Sequence, residues 1–534
     1  MSLPTTPQPA SGSEPTDTQH TWRFWIVFPV LWLTALMVSL EATVVSTALP
    51  VINAELGTGD DFIWVLNVFF LTNAAFQPFL GQLANAVGRR YVMMASIILF
   101  LLGSAVAGSS ASSKQLIAGR AIQGAGSGGV TMLSQLDLIV SDLVPVRSRP
   151  GYIAATFVAV NIGTALGPFL GGVIVERISW RWIFYINLPV AGIALVAVTF
   201  CLDIGFNREL MRERILSIDY VGNCMLIAST TSVLFAISYG DIRYSWSSWH
   251  AILPLVIGLS GFGLFSVYEA FVPRLPIAPR RFFSRRTSAA GYLITFFWSI
   301  LSFWRIYFLS VYFQAVQLSS PSRAGVQVLP SVIMLIPAVV VGAWVTKKTG
   351  KYRTVHFVSL AGLLLGHGLY ILLSPSSTAV EWILFQLVIG LFGNMLIPAI
   401  LPAIQAGLEE TDAAAATAFW GFVRSFGIIW GITIPAAVLN ARFDSLAYHI
   451  SDPTLRASLT GGKAYEKASA SFIKAIPGSA RDELVGVYAG ALTRVWEVAM
   501  IFPSLALIFV FLERKIDMRT TINSEFGLKE VEKG

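Results

Sequence analysis

Long apolar runs dominate this chain and restrict its fold more than any other feature. A helix needs about 20 predominantly apolar residues to cross the hydrocarbon of a bilayer. On that ruler fourteen stretches qualify, at roughly 24–49, 63–80, 92–110, 115–139, 152–174, 183–203, 217–237, 250–272, 288–314, 324–346, 354–373, 379–402, 413–437 and 490–512. In hydrocarbon a backbone has no water to bond, so each stretch must satisfy its own amides, which a helix does. The expected fold class is therefore an all-α polytopic membrane protein. Composition agrees: 55% of the residues are hydrophobic and 13% charged, against about 25% charged in soluble domains. The least apolar evidence is for 217–237 and 250–272; without that pair the count is twelve, and both counts put the two termini on one side.

The formal charge of +7 invites a nucleic-acid reading, but the distribution of Lys and Arg answers it differently. With the N-terminus inside, the inside segments carry twenty-two Lys and Arg and the short outside loops five. That is the bias expected of cytoplasmic loops, so both termini are predicted to be cytoplasmic and no nucleic-acid partner is expected. Residues 1–23 begin with a Pro/Ser/Thr-rich tail, and the run from Phe24 is too long and too far in for a signal-peptide core. Cys201 and Cys224 are the only cysteines and both lie in apolar segments, so neither a disulfide framework nor a cysteine metal site is expected.

Four segments carry the chemistry. Gly163-Thr-Ala-Leu-Gly-Pro-Phe-Leu-Gly-Gly172 places glycines four apart, where a neighbouring helix can approach the backbone, and Pro168 removes a backbone donor. Arg120 lies inside the span at 115–139, in Leu116-Ile-Ala-Gly-Arg-Ala-Ile-Gln-Gly-Ala-Gly126. A cation there costs about 2.5–3.5 kcal/mol on insertion scales and needs a partner. Glu41, in Leu40-Glu-Ala-Thr-Val-Val-Ser-Thr-Ala-Leu-Pro50, is the acid deep in the first span. The pair reads either as a static bridge locking two helices or as a carboxylate that exchanges a proton. Gly81-Gln-Leu-Ala-Asn-Ala-Val-Gly-Arg-Arg90 reads as a tight turn at Gly81 and Gly88 followed by Arg89 and Arg90, or simply as a basic inside loop.

Together these segments resemble the major facilitator superfamily, in particular its fourteen-span drug/proton antiporter branch of fungal type. The 81–90 loop is similar to that family's G-x-L-a-D-r-x-G-r-k loop, with Asn85 where the family has Asp. Residues 116–126 resemble its fourth-span arginine motif, 163–172 its antiporter motif, and 40–50 its first-span motif with Glu41 in place of Asp. Trp180-Arg-Trp-Ile-Phe-Tyr-Ile-Asn-Leu-Pro189, Tyr312-Phe-Gln314 and Arg424-Ser-Phe-Gly427 resemble further segments of the branch, with Ser310 at a usual proline. The resemblance covers about residues 24–512. It implies a major facilitator fold of two six-helix bundles plus two extra spans, fourteen transmembrane helices in all, with the substrate near the midplane between the bundles. The implied division is a cytosolic tail at 1–23, an N-terminal bundle at 24–203, and a linker with two extra spans at 204–287. A C-terminal bundle at 288–512 follows, with an outside loop at 438–489, and then a cytosolic tail at 513–534. Glu41 and Arg120 would then couple protons. Gly81, Gly88, Arg89, Arg90, Gly163, Gly167, Pro168, Gly171 and Gly172 would govern conformational change.

Clear carboxylates inside the spans reduce to Glu41, whereas Arg120, Arg305 and Arg424 are all intramembrane. A neutral or anionic substrate is expected, with Arg305 meeting a carboxylate or enolate; the alternative is that Arg305 and Arg424 bond carbonyls between helices. Gln123, Trp304, Arg305, Tyr307 and Arg424 are the cavity candidates. The many aromatics of 296–313 are expected to face lipid for the most part. The resulting expectation is a proton-coupled efflux transporter of a small amphipathic organic compound, a fungal secondary metabolite or toxin, with drugs as a side activity. It would act as a monomer in the cell membrane, without cofactor, metal or enzymatic activity. The rivals are a vacuolar amino-acid or siderophore transporter and a non-transporting membrane sensor.

Overall fold

The computed structural model describes residues 22–57, 61, 63–135, 149–202, 211–216, 218–240, 244–273, 276–277, 279–406, 408 and 413–514. Of the two expected tails, residues 1–21 and 515–534 lie outside these residues, as do Asp137 and the acidic stretch 409–412. Within them the chain is helical, and the one sheet-like feature is an isolated bridge between Gly240 and Tyr244. The first six long helices are α1 (Trp22–Leu56), α2 (Trp64–Val87), α3 (Arg89–Gly108), α4 (Ser113–Val130), α5 (Arg149–Arg177) and α6 (Asn187–Cys201). Two more follow, α7 (Tyr220–Tyr239) and α8 (Trp249–Phe271), and then α9 (Arg286–Val311). The remainder are α10 (Pro321–Ile333), α11 (Leu335–Thr349), α12 (Tyr352–Tyr370), α13 (Ala379–Met395), α14 (Ile397–Ala406), α15 (Ala413–Leu446), α16 (Gly478–Ala499) and α17 (Ile501–Val510). Eleven helices among the described residues, some of them counted across a one-residue break, are long and apolar enough to cross a membrane.

The breaks between α10 and α11, α13 and α14, and α16 and α17 fall at Met334, Leu396 and Met500. Each lies two or three residues before a proline, Pro337, Pro398 and Pro503. A proline cannot donate to the carbonyl four residues back and its ring presses on it, so each long helix breaks one turn ahead. Helix starts are capped where the chain leaves a loop. Ser112, Asp219, Ser248 and Ser320 accept from the first turn of their helices, and Thr378 with Glu381 forms a reciprocal capping box.

Close packing rests on glycine. A Cβ on Gly103 would sit 2.2 Å from the backbone nitrogen of Gln123, one on Gly119 2.6 Å from that of Ala107, and one on Gly126 2.4 Å from that of Phe100. The bodies of α3 and α4 therefore touch along their length, as small residues permit in a membrane bundle. In the first half α1 packs on α5 and α4 on both α2 and α3; in the second, α9 packs on α15 and α17, and α12 on α13. The halves meet through α5 against α10 and α2 against α15, while α7 and α8 pack on each other.

Two boundaries differ from the sequence expectation. The helix expected to end at 437 runs to Leu446, and the last one begins at Gly478, not 490. Apolar residues continue at helical spacing, with Leu439, Phe443, Leu484, Tyr488 and Ala491 all buried, so the loop expected at 438–489 contracts to 447–477. That connection is itself packed: Leu459, Tyr465, Ala468 and Ile473 are buried.

Candidate functional site: a buried ion pair beside a central cavity

Arg120 and Glu41 are brought together from α4 and α1, and both side chains are fully buried. The glycine contacts that draw α4 onto α3 carry the guanidinium into the bundle. There Nη1 donates to Glu41 Oε1, in a short bond, and to Gln123 Oε1 at 2.7 Å. Arg120 Nε donates to the carbonyl of Val65 at 3.2 Å, and the Phe69 ring lies 4.1 Å from the guanidinium carbon. Glu41 Oε2 accepts from Asn187 Nδ2 at 2.6 Å. Gln123 is held in turn by Ser104, whose hydroxyl oxygen accepts from its Nε2 at 2.9 Å. Burying two charges costs several kcal/mol each unless their lone pairs and protons are matched; five helices, α1, α2, α3, α4 and α6, supply partners for all of these atoms but Arg120 Nη2. Asn187 was visible in sequence only as part of the 180–189 segment. A lone amide in an apolar run was its signal, and its partner could not be read from spacing.

Beside the pair, α5 lies on α1 through the 163–172 segment. A Cβ on Gly163 would be 2.3 Å from the carbonyl oxygen of Leu36, one on Gly167 2.0 Å from Thr43 Oγ1, and one on Gly171 2.1 Å from the carbonyl oxygen of Val44. Pro168 leaves the Thr164 carbonyl without its helical donor. Thr43 Oγ1 stands 3.3 Å from that oxygen, within reach also of the Ser39 and Leu40 carbonyls, and Thr47 Oγ1 donates to the Pro168 carbonyl at 3.0 Å. The threonines of 40–50 thus complement the proline of 163–172, and both segments form one interface. Gly172 faces elsewhere: its Cβ would be 2.4 Å from the carbonyl oxygen of Pro321 on α10, across the two halves.

A central cavity of about 170 Å³ lies between the halves. Arg305 and Arg424 line it, with Asn73, Ser127, Asn161 and Trp298 among the other wall residues. Arg305 is 8% exposed. It donates to the Ile389 carbonyl and to Asn394 Oδ1, both at 3.4 Å, and forms no ion pair with a described carboxylate. Arg424 lies over the Trp420 ring at 5.1 Å. Tyr307 and Trp304 stand off the cavity wall. Tyr307 donates across the halves to the Ala42 carbonyl at 2.9 Å, next in the chain to Glu41, while Trp304 packs against Phe502. Gln123 belongs to the ion-pair cage.

The aromatics of 296–313 correct an expectation. Trp298, Trp304, Tyr307, Phe308, Tyr312 and Phe313 are buried and the other three half-buried. They face protein because α9 is enclosed by α14, α15 and α17. At the other motif, Gly88 has φ 104°, a region favourable to glycine. Gly81 faces Met132 of the π-turn that ends α4, and Arg90 donates to the Thr199 carbonyl at 2.5 Å. The side chain of Asn85 lies outside the described residues. Sequence reading passed over His356 and Glu513, buried and bonded at 2.8 Å.

A bundle of apolar helices, a charge pair sealed inside one half and a cavity between the halves define a multi-pass membrane transporter. The model of the Major Facilitator Superfamily matches residues 31–432. The chain is 41% identical over 533 residues to the MFS-type transporter pydD of an Acremonium species, covering 98% of this chain and 93% of that protein. It is 42% identical to the MFS-type transporter TwmF of Talaromyces wortmannii, with 98% and 95% covered. It is 41% identical to the MFS-type efflux transporter phmH of Phaeosphaeria nodorum, with 98% and 91% covered. The fold is similar to that of a bacterial homologue of the human lysosomal transporter Spinster, with a TM-score of 0.65, 17% identity and 95% and 98% covered. A peptide transporter crystallised with sulfate gives 0.60, with 15% identity and 92% and 96% covered. The chain belongs to the Major Facilitator Superfamily, whose members are transporters and not enzymes.

Proposed function

We propose that the chain is a proton-coupled exporter of a small amphipathic organic compound, a fungal secondary metabolite or toxin, with drugs as a side activity. It acts as a monomer with fourteen transmembrane helices in the cell membrane, both termini cytoplasmic. Two six-helix bundles, 24–203 and 288–512, alternate access around the cavity, and α7 and α8 lie outside that core. The names of the fungal efflux relatives support the direction and the class of cargo. The observation that carries the coupling is the sealed pair of Glu41 and Arg120, whose neighbour Ala42 accepts from Tyr307 of the opposite half. A proton arriving from outside neutralises Glu41 and releases Arg120. The pair then no longer holds α1 as it did, and return to the inward-facing state follows.

Glu41→Gln tests this: pH-driven efflux from proteoliposomes is expected to vanish while the protein remains monodisperse. Unchanged pH-dependent efflux would exclude Glu41 as the carrier. The cargo is neutral or anionic, because Arg305 faces the cavity without a described carboxylate partner, and a desolvated cation calls for a counter-charge. Preferential export of a quaternary ammonium dye over acidic compounds would overturn this part alone.

A further inference from the structure

A second and larger cavity, about 810 Å³, lies between α8, α15, the start of α9 and the short helix Arg280–Ser284. It shares no lining residue with the central cavity, and its size is that of small-molecule sites, about 300–1,000 Å³. Rings form about half of its wall, among them Phe262 and Phe265 from α8, Tyr292 and Phe296 from α9, and Phe419 and Phe422 from α15. From Ala270 to Phe262 it runs eight residues along α8, about 12 Å at 1.5 Å per residue. One end is charged: Arg280 and Arg281 line it, and Arg285 and Arg286 follow, both exposed. The Phe271 ring lies 5.0 Å from the Arg280 guanidinium, holding that cation at the mouth.

We propose that this trough binds a glycerophospholipid of the surrounding bilayer, with an acyl chain among the rings and the phosphate at Arg280 and Arg281. Access is from hydrocarbon, because two apolar residues of its own wall, Phe283 and Leu293, are exposed and the far face of α8 is apolar and exposed as well. An apolar slot open on that side meets acyl chains before it meets a water-borne solute. Basic side chains at the ends of apolar helices attract phosphate head groups, and an arginine fork matches phosphate oxygens. The carboxylate in the wall, Glu269, is buried with Oε1 turned toward α7, where a Cβ on Gly222 would lie 2.8 Å from it. The bound chain would tie α8, otherwise held mainly by α7, to the second half.

Native mass spectrometry of the full chain, delipidated stepwise and then titrated with palmitoyl-oleoyl phosphatidylserine, tests the assignment. One lipid is expected to be retained longest, and the double variant R280Q/R281Q is expected to weaken its retention about thirtyfold through loss of two head-group charges. Ala270→Phe, which narrows the trough without altering a charge, is expected to weaken it as well. Dioleoylglycerol, which lacks the phosphate, is expected not to bind. Retention unchanged in both variants, equal retention of dioleoylglycerol, or displacement of the lipid by an exported compound would each overturn the assignment.

Discussion

Glu41 and Arg120 are seventy-nine positions apart, yet the sequence indicated both, because a charge inside an apolar run is costly enough to demand a reason. The cage around them is less legible. Asn187, Gln123 and Ser104 are ordinary polar residues until tertiary packing brings their atoms to the pair. Replacing Asn187 with Ala leaves Glu41 Oε2 without its amide donor, and a buried acceptor so stranded costs about 1–3 kcal/mol. Thermal unfolding in detergent is expected to show that loss, together with slowed efflux; an unchanged midpoint would mean that another group supplies the bond. At Gly167 the cost is steric. Gly167→Ala places a methyl group against Thr43 Oγ1 and is expected to destabilise by about 1–3 kcal/mol, as overpacking does. Gly192, where an added Cβ meets nothing within 4 Å, serves as the control. Adding Thr43→Ala removes the clashing hydroxyl, so the double variant is expected to be more stable than Gly167→Ala alone, which a double-mutant cycle would measure.

Among elements, α9 departs most from its sequence reading. Its aromatics look like membrane-interface residues in one dimension, but α9 is enclosed within the second half, and only Trp298, Phe303 and two of their neighbours besides Arg305 reach the cavity. A sequence lists which residues an element has; which face is outward depends on the helices around it. The proline-linked breaks were local and legible in principle, since Pro337, Pro398 and Pro503 each fix where a hydrogen bond must be missing. Pro398→Ala supplies an N–H that can bond the Asn394 carbonyl four residues back and is expected to join α13 and α14 into one helix. Slower hydrogen exchange at the amides following Leu396 would report it. The 447–477 connection shows the reverse limit: it reads as a polar loop, and only the structure shows that its few apolar residues are buried together.

For the whole molecule, the end at which α5 meets α10 is held shut by backbone contact. Gly172 lies against Pro321 and Gly325 against Pro168, and Glu176 accepts from the Ser322 amide at 3.1 Å and its hydroxyl at 2.6 Å. Gly172→Ala puts a methyl group 2.4 Å from the Pro321 carbonyl oxygen. Backbone cannot give way as a flexible side chain can, so the variant is expected to favour the state in which this end is open. Spin labels at Arg177 and Arg323 are expected to report a longer distance distribution than in the unsubstituted protein, and an unchanged distribution would place the hinge elsewhere.

The apolar runs were sufficient by themselves to determine a helical membrane protein, because hydrocarbon admits so few backbone solutions, and the motifs around Glu41, Arg120 and Gly163–Gly172 carried the resemblance to its family. Tertiary structure alone decided which side chains share a site. It joined Thr43 and Thr47 to Pro168, turned Tyr307 away from the cavity toward Ala42, left Arg305 facing it, and placed a ring-lined trough beside α8. The reason is physical: insertion energies are summed along one helix and can be read from the chain, whereas packing depends on distances between helices far apart in sequence.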